Sequence, residues 1–390
     1  MAQSLPFGLP EYEARLTDVR RMMQARGLEC LFVTDPSNMA WLTGYDGWSF
    51  YVHQGVIVPM EGAPVWWGRM QDAAGARRTC WMGADDIHGY AENYIQTELR
   101  HPMEDLVTCL RARGLSGARL GVEMDNYYFS AKAHAVLAEG IDDVSDATGL
   151  VNWCRAVKSE AELAYMHRAA RIAERVLDGA LDKAAEGVPK NEIVADMLRD
   201  AILGADGHWG DYAAIVPLIP SGADAAAPHL TWNGDPLRAG EATTIEIAGC
   251  YRRYHVPLCR TFFIGELPEA MIRAEAAVLE GLEAGLDAAR AGHQARDVAR
   301  ALNAALRKAG IERTARCGYP IGLSYPPDWG ERTISFREED ETVLEPGMCF
   351  HFMPGLWMDD WGIAITESIE IMPNGPARPF CNRPRALIRK

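Results

Sequence analysis

Apolar residues recur at helical spacing between Glu11 and Arg26, at Leu16, Val19, Met22 and Met23, and Gly27 ends the run. The short apolar block Leu28–Thr34 (LECLFVT) reads as a buried strand, and Asp35-Pro36-Ser37-Asn38 as a turn. Gly55–Pro59, Pro64–Trp67 and Arg119–Glu123 read as further strands, so the first third alternates helix and strand as an α/β layer does. The pattern changes near Trp153. Ser159 with Glu162 forms a capping box before a long helical run through Leu163, Met166, Ala170, Val176 and Leu177. Helices are predicted at Asn191–Ile202, Glu269–Ala291 and Ala295–Lys308. Strands are predicted at Thr243–Ala248, Cys259–Ile264, Met348–Met353 and Ile363–Ile371. Helices set apart from hairpin strands make the second part α+β, with a boundary between the domains 1–155 and 156–390.

Glu246 sits inside one of these strands, TTIEIAG. Alternation puts Thr244, Glu246 and Ala248 on one face. A carboxylate in such a strand is costly unless it has a partner. That partner is a bound cation, a nearby donor, or a core arginine such as Arg260.

The 390 residues are 48% hydrophobic and 24% charged, which fits a folded chain and not a disordered one. A net charge of −15 argues against a nucleic-acid or anionic-membrane partner. No apolar stretch approaches a membrane span, and the N-terminus has no signal-peptide pattern. Nine scattered cysteines without a CxxC pair suggest reduced thiols in the cytoplasm.

Four segments carry the chemistry: Ile219–Leu230 (IPSGADAAAPHL), Thr243–Phe262, Cys317–Glu331 (CGYPIGLSYPPDWGE) and Glu345–Ile371. Their order and spacing, with SNMAWLTGYDG (37–47) and RAVKSEAEL (155–163), resemble the aminopeptidase/creatinase family over nearly the whole chain. The resemblance implies a creatinase-like N-terminal α/β domain and a pita-bread α+β catalytic domain. Metal-dependent members hold two ions with two Asp, one His and two Glu, a set of hard donors suited to ionising a bridging water. Here Glu246, Pro257, Tyr319, Met353 and Thr366 stand at those places. Pro and Met offer no oxygen or nitrogen ligand, and Thr and Tyr are poor ones. No catalytic metal and no other cofactor is therefore expected.

The wording of GYPIGLSYPPDWGER (318–332) and FHFMPGLWMDDWG (350–362) resembles the metal-free branch of that family, the ectoine hydrolases above all. What the resemblance implies is hydrolytic opening of a small zwitterionic cyclic amidine, ectoine, to an N-acetylated 2,4-diaminobutyrate, in compatible-solute catabolism. Glu246 would attack the amidinium carbon or activate the water that does. His229 would shuttle a proton to the leaving nitrogen, with His255 a weaker candidate. Tyr319 and Glu367 would orient or neutralise the cation. Trp329, Trp357 and Trp361 are candidates for walling a flat cation. Asp360 and Arg332, with Trp48 and Tyr51 from the N-terminal domain, complete the expected binding set. Trp48 and Tyr51 would act across a homodimer, and a deacetylase is the expected pathway partner. Three other readings stay open: a creatinase-like amidinohydrolase, a metal-dependent Xaa-Pro aminopeptidase, and an inactive pita-bread binding module.

Overall fold

A computed structural model describes residues 5–390. The chain divides into two compact units, Met1–Arg155 and Ala156–Lys390. In the first, strands β1 (Cys30–Val33), β2 (Gly55–Pro59), β3 (Val65–Arg69), β4 (Ile87–Tyr90), β5 (Leu120–Val122) and β6 (Val144–Asp146) form one sheet in the order β4-β3-β2-β1-β5-β6. It is mixed: β1–β2 and β2–β3 are antiparallel, the other pairs parallel. Helices α1 (Leu9–Ala25), α2 (Pro36–Thr43), α3 (Met70–Thr79), α4 (Pro102–Ala112), α5 (Ala131–Ala138) and α6 (Leu150–Cys154) accompany it. The Asp-Pro-Ser-Asn segment expected as a turn is instead the start of α2. Asp35 is its N-cap, accepting from Ser37 N–H, and Pro36 takes the first helical position, where a missing N–H costs nothing.

The second unit begins with α7 (Glu160–Lys183). Its capping box is complete: Ser159 Oγ accepts from Glu162 N–H, and the Glu162 carboxylate accepts from Ser159 N–H. Helices α8 (Lys190–Leu203), α9 (Glu269–Ala288) and α10 (Ala295–Lys308) follow, within two or three residues of the predicted spans. The centre is a ten-residue antiparallel hairpin, β7 (Ala242–Tyr251) and β8 (Tyr254–Phe263). Its two-residue turn, Arg252-Arg253, has positive φ at both positions, the geometry that suits a twisted hairpin. The guanidiniums lie over the rings of Trp209 and Tyr212, 5.4 and 3.8 Å from the centroids, which offsets the strain at two non-glycine residues. Helix α7 lies directly on β7: a Cβ on Gly249 would stand 1.9 Å from the Ala169 carbonyl oxygen.

The short strands β9 (Gly318–Pro320), β10 (Cys349–Phe352), β11 (Gly355–Trp357), β12 (Gly362–Ala364) and β13 (Glu367–Glu370) pack beside the hairpin. The single strand predicted over 363–371 is two strands, interrupted at Ile365 and Thr366. That interruption lies at the site.

Candidate active site

Glu246 stands in β7 opposite Cys259 of β8, with its backbone N–H and carbonyl both bonded to Leu218 on the other side. Pairing on both edges fixes the residue, and the pleat turns its side chain off the sheet. There it lines a cavity with Pro220, Ala225, Pro228, Thr244, Cys259, Met353, Gly355, Trp357, Ala364 and Thr366. The wall is tight where β12 passes the Gly222–Ala226 turn: a Cβ on Gly362 would lie 2.1 Å from the Ala225 carbonyl oxygen.

The polar lining can be followed proton by proton. Thr261 Oγ1 accepts from Ala364 N–H at 2.9 Å and donates to the Ala364 carbonyl at 3.2 Å, so the Thr244 hydroxyl, 3.1 Å away, donates to it. Thr244 is left with lone pairs for the cavity. The Glu246 carboxylate has no hydrogen bond or ion pair among the described residues, and burial alone pushes its pKa up to about 7. No lysine or arginine lines the space. It is apolar apart from hydroxyls and one carboxylate, and its missing element is a positive charge bearing N–H donors.

Behind the wall runs a buried hydrogen-bond chain. Trp329 Nε1–H donates to Tyr319 Oη at 2.7 Å, which meets His351 Nδ1 at 3.1 Å. His351 Nε2 meets Thr366 Oγ1 at 2.8 Å, and that oxygen also accepts from Cys259 N–H at 2.9 Å. His351 is fully buried, and burial lowers its pKa to about 3, so its ring is neutral. Burial first, then the charge of Glu246, holds the Tyr319 phenol well above its usual range.

The expected site residues fall into three groups. Glu246 and Trp357 line the cavity together, and Tyr319 reaches it through His351 and Thr366. His229 is exposed, next in sequence to the wall residue Pro228. The others lie elsewhere. The Glu367 carboxylate is bound by Arg260 at 2.7 Å and Arg385 at 3.2 Å, so Arg260 pairs with Glu367 and not with Glu246. His255 is buried with both ring nitrogens spent on the backbone: Nδ1–H donates to the Arg253 carbonyl and Nε2 accepts from Ala214 N–H. Trp329 is buried, its N–H given to Tyr319. Trp361 packs against the core on the side of a separate cleft with Met358. Asp360 and Arg332 are exposed and outside the cavity lining. Trp48 and Tyr51 are 58% and 64% exposed in the first unit, where the Trp48 ring meets Phe50 and the Tyr51 hydroxyl accepts from Arg69.

His351 was not among the expected residues. Its signal was a lone imidazole in an otherwise apolar strand, CFHF, where a polar group needs a buried partner. Thr366 was legible only as a lost metal ligand. The residues do not fit the family's two metal ions. Of the five positions only Glu246 offers a carboxylate, and Pro257 lies outside the cavity. Among the described residues no group of three or more His, Cys, Asp or Glu could hold an ion.

The Creatinase/Prolidase N-terminal domain model matches residues 15–157, and the metallopeptidase family M24 model matches residues 164–373. The chain belongs to the M24 family. It is 53% identical to the ectoine hydrolase of Halomonas elongata, over 99% of each chain. An uncharacterized hydrolase/peptidase of Sinorhizobium fredii, y4tM, is 37% identical over the same shares. Among solved structures, the prolidase of Thermococcus sibiricus superposes with a TM-score of 0.84 at 18% identity, covering 98% of this chain and all (100%) of that one. The fold is thus the expected one, a creatinase-type N-terminal domain followed by a pita-bread domain. The chain is a hydrolase of this family.

Proposed function

We propose that the protein opens the amidine ring of ectoine by hydrolysis, giving an N-acetyl-2,4-diaminobutyrate, without a catalytic metal. The observation that carries this reading is the Glu246 carboxylate, half-buried in the cavity lining and unpaired among the described residues, with no cationic side chain beside it. An ionised carboxylate in such a place calls for a cation. An amidinium supplies one, with N–H groups for Glu246 and for the lone pairs of Thr244, and a flat face for Trp357. The full-length similarity to an ectoine hydrolase supports the choice among amidines.

Glu246 supplies the electron pair, directly or through a water whose proton it takes. The pair enters at the amidinium carbon, and the C=N π pair moves onto the ring nitrogen. A proton delivered to that nitrogen lets the C–N bond break, and one water is consumed overall. His229 at the rim is the proton carrier in this scheme. An acetylated diamino acid calls next for a deacetylase. We place the reaction in the cytoplasm, in keeping with nine free cysteines. We also propose a homodimer whose exposed Trp48 and Tyr51 face the partner's site.

The deciding experiment incubates purified protein with ectoine and follows the ring and acetyl methyl signals by NMR, with and without a chelator. Ring-opened acetyl product in both arms is expected. No product from ectoine overturns the substrate, and activity lost on chelation and restored by Mn²⁺ or Zn²⁺ overturns the metal-free mechanism.

A further inference from the structure

We propose that His351 is a positioning residue whose tautomer keeps the Thr366 hydroxyl proton free to point into the Glu246 cavity, as a donor used only after the amidinium carbon is attacked. This deepens, and rests on, the reading of ring opening given above.

Each proton in the chain can be assigned. An indole has one N–H and no acceptor, so Tyr319 Oη accepts from Trp329. A backbone N–H only donates, so Thr366 Oγ1 accepts from Cys259. Between these two oxygens stands a neutral imidazole, with one N–H and one lone pair. Two arrangements satisfy it. In one, Tyr319 O–H donates to Nδ1 and Nε2–H donates to Thr366. Every proton in the chain is then engaged except that of Thr366, which is on the cavity lining. In the other, Thr366 O–H donates to Nε2 and Nδ1–H donates to Tyr319. The Tyr319 proton is then left over, and its buried oxygen has no other hydrogen-bond partner among the described residues. Thr366 is as buried as Tyr319 but lines the cavity, where its proton can meet a ligand, whereas the Tyr319 hydroxyl is off the lining, so a proton left over on Tyr319 disfavours the second arrangement. The first leaves Thr366 Oγ1 as an acceptor from two groups with its own proton turned outward.

That proton has no acceptor on an intact amidinium, whose nitrogen lone pairs are delocalised. Attack at carbon localises one pair on the ring nitrogen and creates the acceptor. Thr366 therefore strengthens its bond in the transition state, and its loss lowers kcat more than it raises KM.

Two measurements test this. Long-range ¹H–¹⁵N spectra of the full protein carrying ring-labelled histidine, with His351 assigned by its loss in His351→Gln, report which nitrogen is protonated. The Nε2–H form is expected, and Nδ1–H or the imidazolium overturns the proposal. No substrate enters this arm. In kinetics with ectoine, Thr366→Val and His351→Leu should each lower kcat by on the order of 10²-fold with KM nearly unchanged. The double variant should be no slower than Thr366→Val, because the two groups act as one. Thr366→Ser should keep most activity. His351→Gln, whose amide restores a donor toward Thr366, should recover most of what His351→Leu loses. Additive losses, or effects confined to KM, overturn the proposal. A wild type inert toward ectoine overturns the substrate reading instead, and the tautomer spectrum still decides this one.

Discussion

Replacing Glu246 by Gln should stabilise the protein while abolishing its activity, and the stabilisation should depend on pH. The carboxylate is raised from 4.5 to about 7 by burial alone. Between those values the folded protein binds a proton that the unfolded chain has already lost. The linkage slope is then negative: stability falls as pH rises from about 4.5, and the full penalty is in place above about 7. At 1.36 kcal/mol per pKa unit the shift corresponds to about 3 kcal/mol. A glutamine carries no such penalty but leaves its amide short of hydrogen bonds, a cost of about 1 kcal/mol. The net gain at pH 8 is about 2 kcal/mol, shrinking to zero near pH 5 and reversed below it. For a unit of this size that is about 4–8 °C in Tm. The assay is thermal unfolding of wild type and variant across pH 4–9, followed on the transition of the C-terminal unit. A variant equal to or less stable than wild type at pH 8 would refute the reasoning, because it would mean the carboxylate already has a partner. Saturating ectoine should reverse the order, since only wild type gains a cation beside its carboxylate.

Four further outcomes follow from the same geometry. In pH–rate profiles, kcat/KM should rise with pH and level off above about 7, as the free carboxylate ionises; a flat profile from pH 5 to 8 removes Glu246 from the role. The kcat profile should shift to lower pH, because the bound cation favours the ionised form. Glu367→Gln leaves the buried Arg260 short of its counter-charge, so Tm should drop by the equivalent of about 3 kcal/mol while kcat per folded molecule stays within a few-fold; an equal loss of kcat to that in Glu246→Gln would return Glu367 to the chemistry. Gly362→Ala forces β12 away from the Ala225 carbonyl, so KM for ectoine should rise at least severalfold, read from steady-state kinetics. Chelation should leave kcat unchanged, and Mn²⁺ should not raise it.

The elements were legible because their signals are local. The Ser159–Glu162 box, the alternation around Glu246 and the helical run ending at Lys308 each occupy one stretch of chain. Glu246 was legible for the same reason, as a carboxylate on the wrong kind of strand. The misjudged groups depend on partners far away in sequence. Whether Arg260 takes Glu246 or Glu367 is decided by which face of β8 it leaves and by the arrival of Arg385 and the Thr366 carbonyl, more than a hundred residues on. His255 looked free for proton transfer until the Ala214 amide, from a segment without periodicity, occupied its Nε2. Trp329 and Trp357 read alike in sequence, yet one is buried behind Tyr319 and the other lines the cavity.

Met353 adds an apolar side chain to the lining beside Glu246. Tyr319 and Thr366 are joined through His351 in one buried chain of hydrogen bonds. A dinuclear centre stabilises developing negative charge with two cations and supplies its own hydroxide. An amidinium substrate brings the positive charge with it, so cations in the wall would repel it and a single unpaired carboxylate attracts it. What the site then still needs is a donor that appears when the substrate's charge disappears. A neutral hydroxyl held by a buried imidazole meets that need, because it does not oppose the cation in the ground state and gains an acceptor as soon as the carbon is attacked. The acidity of the cavity and the hydroxyl–imidazole chain are one adaptation to a substrate that is itself the cation.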